Sequence, residues 1–444
     1  MKEQAKNTTG GFSRRDFIKT SAAFGAASML SGSAKLFAAG SDKIRVGLIG
    51  CGSRGTRAAQ NCVHGAPNIE ITALGDLFQD QIDNAVKILT TVEERAHWSS
   101  GVPWKEVDSV KLTPEKCFVG FDAYEKVIAS GVDMVILGTP PGFRPMHLKA
   151  AVEAGKHVFM EKPVAVDVPG VRSVIESSEL ASKKGLGIVV GTQRHHQMHY
   201  VDIMKRVHDG QIGDIKAAQC YWIQGRSKWH FRPRKEEWCD MEWQCRVWPY
   251  FTWLSGDHIV EQHLHNIDVI HWALQANPVN AVGVGGRQQR TGPEFGNIYD
   301  HFAIEFEYPG GIRVSSMCSQ MDGTIKKVSE RIIGTKGDVY TEEILGRIEG
   351  ANAYEYKGSN PSPYVKEHAD LIASIRKGEP LNEAKFAAES NMAAILGRTA
   401  AYTGMSVKWE WMMQRSQLEL APEKYEFGPL PVGEVAIPGK TKLA

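Results

Sequence analysis

The chain lacks a charge bias: 52 Lys and Arg stand against 51 Asp and Glu over 444 residues. A nucleic-acid binder shows a basic excess and a solvating tail an acidic block, and neither is present. The 7 cysteines include no C-x-x-C pair. They are Cys51, Cys62, Cys117, Cys220, Cys239, Cys245 and Cys318, too scattered for a zinc knuckle. Two readings of them stand: a Cys239–Cys245 pair in an oxidising compartment, or buried free thiols throughout. No internal repeat is visible. Beyond residue 40 no run reaches the roughly 20 apolar residues of a membrane span, so no membrane insertion of the mature chain is expected. What is present is length enough for two or three domains with a sizeable core.

Near the start, Ser13-Arg14-Arg15-Asp16-Phe17-Ile18-Lys19 precedes an Ala/Ser/Gly-rich, weakly apolar run over residues 20–33. The segment ends in Ala38-Ala39-Gly40, small residues suited to signal-peptidase cleavage. This reads as a twin-arginine export signal over residues 1–40, rather than a disordered basic N-terminus. It implies the Tat export machinery as a partner and a periplasmic destination. Proteins on this route are carried folded, so a cofactor is loaded before export and must be held tightly.

The most informative stretch follows. The apolar run at residues 44–49 ends in Gly50-Cys51-Gly52-Ser53-Arg54-Gly55, a G-x-G-x-x-G pattern. Gly50 permits a tight turn out of a strand, Gly52 lets the backbone approach a pyrophosphate, and Gly55 lets a helix pack close on the strand. A second apolar run, residues 69–74, precedes Asp76, about 20 residues beyond the last glycine. A carboxylate there accepts from both ribose hydroxyls and repels a 2′-phosphate, which favours NAD over NADP.

Strands and helices then alternate to about residue 195. Apolar runs at 117–119, 134–137, 157–160 and 188–190 are separated by helical segments 123–130 and 145–154, which predicts a doubly wound parallel sheet. Residues 98–115 read as a polar surface excursion. After residue 193 the pattern changes to alternating stretches at 215–223, 279–287, 301–308, 311–319, 331–334 and 337–340, expected as a mostly antiparallel open sheet. Residues 201–208, 258–274, 363–377 and 384–403 read as helices, the last capped by Asn382 and stopped by Gly404. The expected domains are a Rossmann dinucleotide-binding α/β domain over 41–195 and an α+β substrate and oligomerisation domain over 196–410. A C-terminal extension covers 411–444, and its tail from Pro422, with several prolines and glycines, is expected to be loose. Open sheet faces predict a homodimer or homotetramer.

Two further segments are specific. One runs from Gly138-Thr139-Pro140-Pro141 through His147 to Met160-Glu161-Lys162-Pro163; the other is Gly256-Asp257-His258-Ile259-Val260-Glu261-Gln262-His263-Leu264-His265-Asn266. With the glycine motif and the order of elements, they make the chain closely resemble the Gfo/Idh/MocA oxidoreductases, over residues 43–404. Taken alone, Lys162 lies at the carboxyl end of a sheet strand, where ligands bind in such sheets. There it donates to a substrate hydroxyl or beside the nicotinamide. The resemblance implies that Lys162 polarises substrate and that Glu161 orients it. It also extends the cofactor contacts to Ser53, Arg54, Thr139, Pro140, His147, Glu161, Lys162 and Gln193.

On one continuous helix Glu261 and His265 share a face with His258 and Gln262. The resemblance implies an acid-x-x-x-His pair, with His265 as base for the substrate hydroxyl and Glu261 in a place usually held by aspartate. A base of near-neutral pKa suits the proton that leaves as hydride departs. His263 points elsewhere. No zincin pattern is matched, so no metal is expected; a shared His258/Glu261/His265 metal face is the alternative to polar groups lining a sugar pocket. Arg194 and His195, at the end of the last Rossmann strand, and His301 are further candidate substrate contacts. Trp222, Trp229, His230, Arg232, Trp238, Trp243, Trp248 and Tyr250 form an aromatic insert at residues 221–253. It either lines a sugar pocket or packs its own core or a subunit interface.

The expected activity is hydride transfer at a sugar or glycoside carbon, with tightly held NAD. The alternatives are an NAD-dependent glycosidase working by transient oxidation, elimination, hydration and reduction, and a sugar-binding protein without turnover. The similar glycosidases usually depart from Glu-Lys-Pro, which is intact here.

Overall fold

The computed structural model describes residues 42–225 and 231–444. The signal segment, Trp229 and His230 lie outside them. Six strands form the first sheet: β1 (Ile44–Ile49), β2 (Ile69–Asp76), β3 (Cys117–Val119), β4 (Met134–Leu137), β5 (His157–Met160) and β6 (Ile188–Val190), in the order β3-β2-β1-β4-β5-β6. All neighbours are parallel. Its central strands are buried on both faces, which explains their unbroken apolar sequence: all four residues of β4 are inaccessible. Strand order reverses between β1 and β4, and a crevice for ligands opens there at the carboxyl ends.

Nine strands form the second sheet. They are β7 (Ile215–Gln224), β8 (Asn280–Gly286), β9 (His301–Tyr308), β10 (Ile312–Gln320), β11 (Lys327–Gly334), β12 (Gly337–Glu342), β13 (Leu345–Gly350), β14 (Tyr354–Glu355) and β15 (Val407–Lys408). The order is β14-β13-β12-β11-β7-β10-β9-β8-β15. Only the β7–β10 pair is parallel. Alternation sends Phe302, Ile304 and Phe306 inward against helix Ala384–Thr403 and leaves Val284 and Met317 69% and 40% exposed on the other face. β13, β14 and β15 escaped the sequence reading, because they are short or lack clear alternation.

Lys43–Ala444 is one compact unit. Helix Pro363–Lys377, though late in the sequence, returns to the first sheet, where Leu371, Ile372 and Ile375 join the core of β1 and β2. The expected surface excursion is instead anchored by Trp104, which is buried and donates its indole N–H to the Leu89 carbonyl. The C-terminal tail is not loose: Leu420, Tyr425 and Leu430 pack on one aromatic core and Val435 and Ala436 on another. Helix Ala384–Thr403 stops at left-handed Gly404, and Asn382 accepts from the Ala384 N–H. Among the described residues no helix is long and apolar enough to cross a membrane.

Candidate active site

A cavity of about 780 Å³ occupies the crevice. Gly50 turns with φ +95°, and a Cβ there would strike the Thr139 backbone; a Cβ on Gly55 would strike the Gly50 carbonyl. Gly55 therefore sits beneath the turn, not in the cavity. At Gly52 a Cβ would meet nothing, and the residue lines the cavity at the start of helix Ser53–Gly65. That open cradle under a helix N-terminus fits a pyrophosphate. Asp76 accepts the backbone N–H groups of Cys51 and Phe78 at 2.7 and 2.9 Å, with lone pairs left for ribose hydroxyls. Burial pushes its carboxyl up to about 6. Arg54 pairs with Glu161 at 2.6 Å and Glu367 at 3.2 Å, while its buried Nη1 has no partner among the described residues. Ser53, Thr139, Pro140, His147, Glu161, Lys162 and Gln193 line the same cavity. His147 is held neutral by burial, its pKa lowered to about 3, with Nδ1 at 3.2 Å from Thr139 Oγ1. Gln193 leaves its buried Oε1 unpaired. These orphaned polar atoms and the glycine cradle fit a bound dinucleotide.

The second half contributes Glu261, Gln262, His265 and Trp222 to the cavity. Lys162 Nζ donates to the Glu261 backbone carbonyl and lies 3.3 Å from its Oε1. The Lys162–Pro163 peptide is cis. The ring of His265 stacks on Trp222 at 5.6 Å, and its nitrogens have no protein hydrogen bond among the described residues. Burial, then the charges of Lys162, Arg194 and Arg54, hold the imidazole well below its ordinary pKa and so neutral. The amine and the imidazole thus both line this cavity.

The expected single helix over 258–274 is two: His258–Glu261 and Leu264–Leu274. His263, at the junction, is completely buried with Nε2 2.7 Å from the Ser316 hydroxyl, and Asp257 opens the first turn at φ +74°. Satisfying those buried groups interrupts the helix. Glu261 and His265 reach the cavity from separate helices, not from one helical face.

Four candidate contacts lie elsewhere. Arg194 is buried on Glu330 at 2.8 Å. His195 binds Asp268 at 2.7 Å and stacks on Trp272. His258 is buried behind the cavity wall, its pKa lowered to about 3 by burial. His301 sits on the outer side of β9, bonded to Asp300 at 2.7 Å. Among the described residues no cluster of His, Cys, Asp and Glu is arranged to hold a metal ion. Of the aromatic insert, Arg232 and Trp248 line the cavity, whereas Trp238, Trp243 and Tyr250 form a core with Phe251, Trp253 and Phe295. The sequence reading missed Arg144, Tyr364 and Arg246, all cavity-lining. Arg144 donates to the Pro163 carbonyl at 2.6 Å. The Arg54 guanidinium lies 4.9 Å from the Tyr364 ring. Arg144 stands inside a quoted motif; nothing in the sequence connects Tyr364 or Arg246 to the glycine turn.

Sheet order and glycine cradle define a dinucleotide-binding Rossmann fold with a second, sheet-based domain. Residues 44–192 match the family described as "Oxidoreductase family, NAD-binding Rossmann fold" and residues 200–340 the "GFO/IDH/MocA C-terminal domain". The chain belongs to the Gfo/Idh/MocA oxidoreductase family. Residues 11–31 match a twin-arginine translocation pathway signal sequence. The chain is 27% identical to 2,7-anhydro-N-acetylneuraminate hydratase of Escherichia coli (strain K12), over 57% of this chain and 62% of the relative. It is 25% identical to inositol 2-dehydrogenase 3 of Saccharopolyspora erythraea, over 61% and 65%. It is also 25% identical to a glycosyl hydrolase family 109 protein of the same organism, over 46% and 44%. These matches span less than two thirds of each relative's length. Among solved structures, scyllo-inositol dehydrogenase from Lactobacillus casei with bound NAD(H) and scyllo-inositol aligns with a TM-score of 0.61 at 17% identity, covering 83% of this chain and 99% of that one.

Proposed function

We propose that this protein transfers hydride between NAD and a hydroxyl-bearing carbon of a sugar, glycoside or cyclitol. The observation that carries the reading is the meeting of Lys162, Glu261 and His265 at the cavity that also holds the glycine cradle. Bound NAD supplies the hydride acceptor. His265, neutral and without a protein hydrogen bond among the described residues, takes the hydroxyl proton as the C–H bond breaks. Lys162, held by Glu261, donates to the same oxygen and offsets its developing negative charge. Trp222 offers an aromatic face to the ring C–H groups and braces His265. The cofactor set is Gly50, Gly52, Ser53, Arg54, Asp76, Thr139, Pro140, His147, Glu161 and Gln193, with Gly55 supporting the turn from beneath and Gln262 beside the substrate.

A second reading is favoured by the glycosyl hydrolase family 109 relative: the same residues oxidise a glycoside transiently, the aglycone is eliminated, water adds, and reduction restores the sugar. Incubation with free sugars, cyclitols and p-nitrophenyl glycosides separates the two. NADH or a keto product supports the dehydrogenase; nitrophenol without net NADH supports the glycosidase; tight sugar binding with neither supports a non-catalytic binding protein. The export signal supports a periplasmic location and a captive cofactor. The bare outer face of the second sheet, with Val284 and Met317 exposed, supports a homodimer or homotetramer.

A further inference from the structure

The aromatic insert and the C-terminal tail meet beside the part of the cavity lined by Phe78 and Phe121. Asp76 marks the ribose, so the residues beyond it, Phe78 and Phe121, flank the adenine. Helix Asp240–Arg246 brings Arg246 over Phe78, guanidinium to ring 3.9 Å. Arg246 is fixed there by Asp80 at 3.1 Å and Glu242 at 2.8 Å. From the tail, Phe427 stacks on Phe78 at 6.1 Å and packs on Phe121 at 5.3 Å. Tyr425 packs on Phe143 at 5.5 Å. The tail is tied to the insert helix by three hydrogen bonds: Met241 N–H to the Gly428 carbonyl at 3.2 Å, Gln244 Nε2 to the Leu430 carbonyl at 2.6 Å, and Leu430 N–H to Asp240 at 3.1 Å.

We propose that helix Asp240–Arg246 and tail residues 420–430 form a clasp over the adenine end of the cleft, so that the dinucleotide exchanges only when the clasp opens. The proposal rests on the reading of this cleft as the NAD site. Two chain segments far apart in sequence share one small ring cluster and bond to each other. Lifting the adenine out disturbs Arg246 and the rings that Phe427 backs. Such a gate acts on the dissociation rate more than on association.

The test is exchange of the purified full chain against excess 1,N6-etheno-NAD, with fluorescence incorporated into protein read after gel filtration. The parent incorporates the probe slowly. Phe427→Ala and Arg246→Ala each accelerate incorporation by about tenfold. Val432→Ala, on the same tail and exposed, leaves the rate unchanged. Phe427 is 50% exposed, so its truncation leaves the fold standing; thermal melting verifies this for each variant. Equal exchange rates in parent, Phe427→Ala and Arg246→Ala overturn the clasp while NAD binding stands. A parent that neither retains NAD nor takes up the probe overturns the cofactor reading, and the clasp with it.

Discussion

The two sheets use their sequences in opposite ways. The parallel sheet is covered on both faces and does its chemistry with backbone: a glycine turn, a helix N-terminus, a strand end. The nine-stranded sheet is covered on one face, and its functional groups come from side chains on connecting segments. A backbone site is sensitive to any added atom at a few positions. A side-chain site tolerates variation around it and fails only when the reacting group is removed.

The largest expected effect is on the reacting side chains, one from each half: Lys162 follows β5 of the parallel sheet and His265 lies on a helix of the second half. His265→Ala and Lys162→Ala each lower kcat by about 10³-fold, the scale of a lost proton-transfer or oxyanion partner. Neither removes NAD, which release of nucleotide on denaturation will show. The backbone half breaks in the reverse sense. Gly52→Val fills the cradle, and NAD affinity falls by about 100-fold or more, roughly 3 kcal/mol, while the far-ultraviolet dichroism is retained. Titration calorimetry with NAD checks it; an unchanged affinity means the pyrophosphate lies elsewhere.

A smaller effect sharpens how the two halves meet. His265 is depressed first by burial and next by Lys162, so its neutral form persists below the ordinary histidine range near pH 6.5. Hydroxyl oxidation therefore keeps its rate as pH falls to that range, and the acid limb appears lower. Lys162→Met removes one positive neighbour and raises the His265 pKa. An NMR titration of the imidazole reads that shift without activity. The least effect on chemistry comes from the outer face: Val284→Glu places a charge on the bare sheet and converts the oligomer to monomer in sedimentation velocity, with NAD retained. A parent already monomeric removes that interface.

Legibility followed the same division. Gly50, Gly55 and Asp76 were readable because only a glycine fits where a Cβ strikes backbone and because strand and helix lengths fix the spacing to the acid; Gly52, where a Cβ meets nothing, was readable from its place in the same pattern. Lys162 was readable from its place at a strand end and from the Glu-Lys-Pro resemblance. Arg194 and His195 were plausible on the same ground, yet each turns to a buried carboxylate, Glu330 or Asp268, supplied by remote segments. The break between Glu261 and His265 was hidden because periodicity reports which residues are apolar, not where a buried His263 must find a hydroxyl. The tail read as loose because its prolines and glycines form no element; its aromatic residues found partners only in the folded chain.

Alone, the sequence determined most of the elements, their parallel and antiparallel character, the glycine cradle and the export signal, since these depend on local sterics and short-range periodicity. Tertiary structure decided which histidine faces the cleft, which arginine is spent on a buried carboxylate, and that residues 240–246 and 420–430 pack on one ring cluster with Phe78. Those outcomes depend on contacts between residues up to nearly 350 positions apart, such as Phe78 and Phe427. Burial of each polar group is settled only by the partner that reaches it.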